Sequence, residues 1–264
     1  MYELVTLTEI MSFLEQLAPK ELAESYDNVG LLVGSTKKDI NKVLITLDAD
    51  EKVSDEAKKL GADLVISHHP LIFNPLKRIT DDDSISRTVI SFIKNDIPLY
   101  AMHTNFDSVK YGLGDLFLDK IAETKNRYAI EGDSENGIGR IADLCTKTTL
   151  FELLEKIKNA FNLPNVRYIG ENKTIETIAV CNGGGASLVY DAKKMGADLF
   201  ISGDIKYSQA RFAYENDLAF IEIPHYSAEI IFCDFVKGIL KEEFGEKIKI
   251  FTSDKNIDIW KHFE

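Results

Sequence analysis

An eleven-residue segment occurs twice in this chain, and the repeat restricts the fold more than any other feature. AKKLGADLVIS at 57–67 returns as AKKMGADLFIS at 192–202, offset by 135 with two changes. Each copy reads the same way: the end of a helix, a glycine that stops it, and an apolar run of strand length. The likeness continues upstream, where VLITLDA (43–49) pairs by position with IAVCNGG (178–184). Two unrelated parallel-sheet units would each need a helix, a stop and a buried strand, but not so long an identity. Duplication of one α/β unit is therefore the expectation.

The rest of the chain follows the same alternation. Thr6 and Glu9 form a capping box ahead of Ile10, Phe13, Leu14 and Leu17 at helical spacing, and Pro19 ends that helix. ESYDNVGLLVG (24–34) is a turn running into a short strand. Strands at 43–49, 63–69 and 98–103 alternate with helices at 54–62 and near 84–95. The polar, glycine-containing EGDSENGIG (131–139) reads as a domain boundary or exposed loop. A strand near 139–144, a helix at 149–161 and a strand around 165–169 follow. The pattern predicts an α/β fold of two related units with mainly parallel sheets, divided as 1–128 and 129–264. At 264 residues either one large or two modest domains can bury a core.

Charge and cysteine content exclude several classes. The net charge is −12, with 43 acidic against 31 basic residues and no Lys/Arg stripe, which argues against nucleic acid as the main partner. Cys145, Cys181 and Cys233 are odd in number and contain no CxxC pair, so neither a disulfide framework nor a cysteine zinc site is indicated. The N-terminal segment lacks the basic flank, continuous apolar core and cleavage site of a signal peptide. No apolar run approaches the ~20 residues of a spanning helix. A reduced, cytoplasmic protein without a membrane partner is the expectation.

The chemistry gathers at the histidines. There are five, and His68 and His69 close the strand DLVISHH. Adjacent side chains on a strand point to opposite faces, so each can serve a different ion. His103-x-x-x-Asp107 follows the last strand of the first unit, and His225-x-x-x-Glu229 recurs at an offset of 122 after the last strand of the second. In open α/β sheets, ligands gather outside the carboxyl ends of the strands. Blander readings stand beside each residue. His225 and Glu229 can be a helix-start pair, Asp107 can cap the segment that follows it, and His262 in the tail WKHFE reads as a surface residue. That all three elements end strands of one α/β pattern favours a metal centre. Imidazole with carboxylate suits Zn, Fe, Mn, Ni or Co.

Other motifs carry less. Gly137-Ile-Gly139-Arg-Ile-Ala142 matches GxGxxA but precedes an apparent strand, which is the wrong context for dinucleotide binding. No Walker-type GxxxxGK[ST] is present. NGGGAS (182–187) joins a strand to a helix, and its amides could cradle a phosphate; a tight turn needing unusual dihedrals is the favoured reading. Asp204 and Lys206 follow a strand end at the repeat position of His68 and His69, so Asp204 is a candidate for the same chemistry.

Five motifs in order, DNVGLLVG (27–34), ISHHPLIF (66–73), HTNFD (103–107), SGDIKYSQA (202–210) and PHYSAE (224–229), resemble those of the Nif-three-like family. Its members are also called GTP cyclohydrolase 1 type 2 homologues or dinuclear metal centre proteins. The resemblance covers essentially the whole chain. It implies a two-domain α/β fold, two divalent metal ions at the domain junction and a ring-like homohexamer. The family's ligands fall on His68, His69, Asp107, His225 and Glu229. His103 is not among them and is read as lying beside the ligands or facing substrate. The length matches the short form, without the inserted middle domain of some members. Many members have a histidine where this chain has Ser208, so no role is carried to that position. The implied activity is metal-dependent hydrolysis of a nucleotide or similar small molecule, by opening of the guanine ring in GTP, with His103 or Asp204 as proton carrier. The alternatives are a non-catalytic metal-handling protein and a regulatory interaction module.

Overall fold

The computed structural model describes residues 4–261, and His262 lies outside the described residues. The chain forms two compact units. One takes the residues up to Phe106 and those from Phe232 onward; the other is Asp107–Ile231.

The first unit begins with β1 (Val5–Thr6), α1 (Leu7–Leu17), β2 (Gly30–Val33), β3 (Asp39–Ile40) and β4 (Lys42–Thr46). It continues with α2 (Glu51–Leu60), β5 (Leu64–Ser67), α3 (Ser84–Lys94) and β6 (Leu99–Ala101), and α4 (Thr104–Ser108) carries the chain out of it. The second unit holds α5 (Leu113–Ile121), β7 (Thr124–Gly132), β8 (Gly137–Thr149), α6 (Leu150–Ala160) and β9 (Arg167–Ile169). It also holds β10 (Thr174–Cys181), α7 (Val189–Lys194), β11 (Leu199–Ser202), α8 (Tyr207–Glu215), β12 (Ala219–Glu222) and α9 (His225–Glu229). The chain returns to the first unit through α10 (Ile231–Phe244) and β13 (Lys249–Thr252).

The first sheet runs β13-β4-β5-β6-β2. Its four leading strands are parallel and β2 closes it antiparallel to β6. The expected helix starts and stops are present. Thr6 and Glu9 complete the capping box of α1, and Gly61 ends α2 in the left-handed region at φ 62°. Leu44, Val65, Val89, Phe92 and Leu99 share one core, because strands buried on both faces leave no polar position inside. The division differs from the linear cut expected at 128/129. β13 comes from the C-terminus and covers the otherwise open edge of β4, so the last segment belongs with the first unit.

The second sheet runs β7-β8-β10-β11-β12-β9. β10, β11 and β12 pair in parallel; β8 and β9 flank them antiparallel, and β7 pairs antiparallel with β8 at the edge. The mainly parallel expectation thus holds for the first sheet, whereas the second is mixed. EGDSENGIG is the turn of the β7–β8 hairpin and not a unit boundary. The GxGxxA match lies inside β8, away from any strand-to-helix turn.

Both units contain three parallel strands joined by two helical crossovers: β4-α2-β5-α3-β6 and β10-α7-β11-α8-β12. The repeated sequence is the α2–β5 segment in one and α7–β11 in the other, with Gly61 and Gly196 both at positive φ. Among the described residues, no helix is long and apolar enough to cross a membrane.

Candidate metal centre

In the first unit, β5 stops at Ser67, and His68 and His69 follow it directly. Their amides still donate to Thr46 and Leu47 of the neighbouring strand end, which holds the backbone in place. Because the strand has ended, the opposite-face expectation does not hold: the two rings stand 5.0 Å apart at 46°. His103, one residue beyond the end of β6 and its following Met102, brings a third ring edge-on to both, at 5.3 and 5.5 Å. Phe232 packs 4.9 Å from His68, whose side chain is wholly buried. One ligand atom from each of His68, His69 and His103 lies within 4.8 Å of the others.

Each of these rings has Nδ1 already engaged. His68 Nδ1 is 2.7 Å from the Met102 carbonyl, His69 Nδ1 2.8 Å from Asp48 Oδ1, and His103 Nδ1 2.9 Å from Asp27 Oδ1. A carbonyl or carboxylate can only accept, so Nδ1 carries the hydrogen and Nε2 is the atom a metal would take. Asp27 also accepts from the Thr104 amide and hydroxyl. Burial acts to raise the Asp27 carboxyl, but the His103 and Thr104 hydrogen bonds and the His103 charge outweigh it and hold the group well below the usual carboxylate range.

The second unit repeats this arrangement with different residues. Pro224 precedes α9, a single short turn of helix that sets His225 and Glu229 one turn apart. His225 Nδ1 is 2.8 Å from Asp204 Oδ2, and its Nε2 is 2.9 Å from Glu229 Oε2. Glu229 is only 3% exposed. The NGGGAS turn makes room for this pair. Gly183 has φ 60°, and a β-carbon there would lie 2.9 Å from His225 Nε2 and overlap the Glu229 carboxylate outright. Asn182 ties the same turn to α9 by donating to the Ala228 carbonyl. Gly183 is therefore explained by close approach and left-handed backbone, and a phosphate cradle is not needed to account for it.

Asp107 sits in α4, one turn after His103, and does not cap the next helix, whose cap position is Gly112. The charges of Asp107 and Glu229 both reach Cys181. Burial first, and then those two carboxylates, push its thiol far above the ordinary range. Burial with the charges of Asp234 and Asp48 likewise pushes Cys233 up to about 12. The groups whose ligand atoms cluster are imidazole and carboxylate, a set that suits a divalent transition ion.

The sequence reading missed Asp27 and Asp48 as histidine partners, though both stood in segments it singled out. Asp27 opens DNVGLLVG, ahead of β2, and Asp48 lies in VLITLDA, two residues past the end of β4. For Asp48, an acid just past an apolar strand was the available signal; for Asp27, in a turn before a strand, there was none. Asp204, read as a possible proton carrier, lies against His225.

Relatives agree with this architecture. A Clostridium perfringens protein named GTP cyclohydrolase 1 type 2 homolog is 40% identical over 255 residues, covering 96% of this chain and 97% of that one. Neither chain therefore carries a large insertion relative to the other. The reduced form of HcgD from Methanocaldococcus jannaschii superposes with TM-score 0.83 at 31% identity, over 96% of this chain and 100% of that one. A Bacillus cereus protein related to NIF3 shares the fold at TM-score 0.90 and 24% identity, over 99% and 100%. The Duf34/NIF3 (NGG1p interacting factor 3) profile matches residues 5–258, and the chain belongs to that family.

Proposed function

We propose that this chain binds a pair of divalent metal ions through His68, His69, Asp107, His225 and Glu229, and that it is a metal-dependent hydrolase acting on a nucleotide or related small molecule. One observation carries the reading. At all four strand-end histidines, Nδ1 is held by a carbonyl or carboxylate, which leaves each ring oriented for ligation through Nε2. A packed core does not ask for four imidazoles fixed in one tautomer; a metal centre does. The ions that suit such donors are Zn, Fe, Mn, Ni or Co.

Bound there, divalent ions supply Lewis acidity and lower the pKa of water. The remaining work falls to this chain's own groups. His103, with its Nδ1 hydrogen given to Asp27, keeps Nε2 as an acceptor that can take a proton from an attacking water and return it to a leaving nitrogen or oxygen. The Asp27 carboxylate fixes that tautomer and stabilises the imidazolium when it forms. The name carried by the C. perfringens relative makes GTP the first substrate to try, with attack at the imidazole carbon of guanine. Self-association into a ring-like homohexamer belongs to the same reading, and light scattering on the purified chain checks it.

Elemental analysis of protein purified without chelator tests the ligands. The expected result is two ions per chain, lost from folded His68→Ala and Asp107→Ala variants. Two ions retained by either folded variant would refute the assignment. Metal-loaded protein incubated with GTP should yield a product that the metal-free control and His103→Ala do not give. No turnover across a panel of nucleotides and phosphoesters, together with ready exchange of the ions, would replace hydrolysis with metal handling.

A further inference from the structure

We infer that Asp204 is a positioning residue: it holds the His225 imidazole in the tautomer and orientation that present Nε2, and it does not itself touch reacting atoms. The inference rests on the proposed metal reading for its purpose, but its geometry stands alone.

The pair spans the ends of two adjacent parallel strands. Asp204 follows β11 and His225 follows β12, and the two strands align Ser202 with Glu222. Asp204 Oδ2 and His225 Nδ1 are 2.8 Å apart, and the two positions are separated by 21 in sequence number. The first unit has the same device. Asp48 follows β4, His69 follows β5, their contact is also 2.8 Å, and the separation is again 21.

Duplication alone does not produce this match. At the offset of 135, Asp204 falls on His69 and Gly183 falls on Asp48, so copying would place an imidazole where Asp204 stands. The second unit has built the carboxylate–imidazole pair one strand further along. The same pair in a shifted register points to a requirement for the pair itself.

The backbone at Asp204 supports this. Its φ is +51°, in the left-handed region that side-chain-bearing residues occupy sparingly and that persists where the surroundings impose it. Those surroundings are visible. Gly203 donates from its amide to the Gly183 carbonyl at 2.9 Å. A β-carbon on Gly203 would lie 2.7 Å from Gly183 O and 2.9 Å from Ile223 O. The strand end is squeezed between its two neighbours, and the left-handed step after it turns the Asp204 carboxylate onto His225. The Asp204 side chain is 58% exposed, so the core does not depend on it.

The test uses the full chain stripped of metal. Zinc affinity is measured by competition with a chromophoric chelator for wild type, Asp204→Gly and Asp204→Asn. Glycine removes the carboxylate and fits the left-handed backbone; asparagine keeps an acceptor oxygen and also tolerates that backbone. The expected loss is about 10- to 100-fold for Asp204→Gly and less for Asp204→Asn, with the metal-free melting temperature unchanged or raised. Wild-type-like zinc affinity in Asp204→Gly overturns the inference, and so does a melting temperature that falls in step with affinity, which marks a structural role. If wild type binds no zinc, the metal reading fails on its own. Nitrogen-15 shifts of His225 at pH 8 then decide: a single Nδ1–H tautomer that is lost in Asp204→Gly sustains the positioning role, and a mixed tautomer in wild type removes it.

Discussion

The two units share a scaffold and differ at the strand ends where the chemistry lies. Ser67-His68-His69 in the first corresponds to Ser202-Gly203-Asp204 in the second, directly after the most closely repeated segment of the chain. The first unit gathers three imidazoles and keeps its carboxylates, Asp27 and Asp48, behind them. The second offers one imidazole between two carboxylates, Asp204 on Nδ1 and Glu229 on Nε2. The lesson is that the helix–glycine–strand segment is constrained by packing and has kept its residues. The positions just beyond it are packed too, with His68 wholly buried and Gly203 held close to Gly183 and Ile223, yet they carry different side chains in the two units.

The units also differ in how they are held, and the largest expected effect exploits this. Arg140 is 2% exposed, and its Nε donates to Asp115 Oδ2 at 2.9 Å. Its remaining hydrogens reach the carbonyls of Ser108, Val109, Gly137 and Gly139, which ties α4's exit and the β7–β8 hairpin to α5. Arg140→Ala leaves Asp115 with Arg127 as its remaining arginine partner at 3.2 Å and strips four carbonyls of their donor, a loss on the order of 3 kcal/mol. Peptide-resolved hydrogen exchange should show protection falling across residues 107–231 more than in β4, β5 and β6. Equal loss in both would mean that the units do not unfold separately.

Gly183→Ala strikes the strand-end difference itself. The added carbon overlaps Glu229 and is strained at φ 60°, so stability should drop by about 2 kcal/mol and metal binding should fail with it. Its repeat counterpart, Asp48, is 66% exposed at the side chain. Asp48→Ala should therefore weaken metal binding while leaving the denaturation midpoint within about 0.5 kcal/mol of wild type. If the two variants lose stability alike, the turn geometry is not what distinguishes the units.

Asp27 is wholly buried at the side chain where Asp204, on the imidazole of the second unit, is 58% exposed, and its effect depends on pH. Its folded pKa is depressed, so its contribution is fully present above its ordinary value of 3.8 and disappears as pH falls through that value toward the folded one. Asp27→Asn should cost about 1–2 kcal/mol at pH 7, where a hydrogen-bonded charge is lost, and progressively less below pH 4. Denaturant midpoints for both proteins between pH 3 and 7 provide the check, and a pH-independent difference would place the effect in packing instead.

How far the sequence foretold this depends on the range of the interactions. The capping box of Thr6 and Glu9, the stop at Gly61 and the buried strands around Leu64 and Leu199 rest on neighbours a few residues away, and all were readable. The return of β13 to β4 joins positions some two hundred residues apart, and nothing local to Lys249 announces it. The β7–β8 hairpin was hidden because β7 is mostly exposed and shows no clear alternation. Of the candidate site, the histidines and their following acids stood out by type and spacing. Their carboxylate partners Asp27 and Asp48 did not, because each is linked to its ring only through space, whereas Asp204 stood out by its repeat position but not as the partner of His225. His103 was set apart from the ligands on family grounds, yet its ring stands beside those of His68 and His69.

The smallest effect concerns what the units share. Gly61 and Gly196 end equivalent helices at φ 62° and φ 89°, and neither meets a close backbone atom where a β-carbon would stand. The nearest atom to a β-carbon on Gly61 is Lys42 Nζ at 3.5 Å, the end of a flexible chain, and nothing lies within 4 Å at Gly196. Only the left-handed backbone then opposes alanine, so each substitution should cost about 1 kcal/mol, and the two costs should agree within a few tenths. Metal content should not change, since both positions lie at the opposite ends of β5 and β11 from the histidines and Asp204. Matched losses in urea denaturation would support a duplicated scaffold whose stops are interchangeable. A clear difference would mean that the second copy has already adapted its scaffold, and that divergence is not confined to the strand ends.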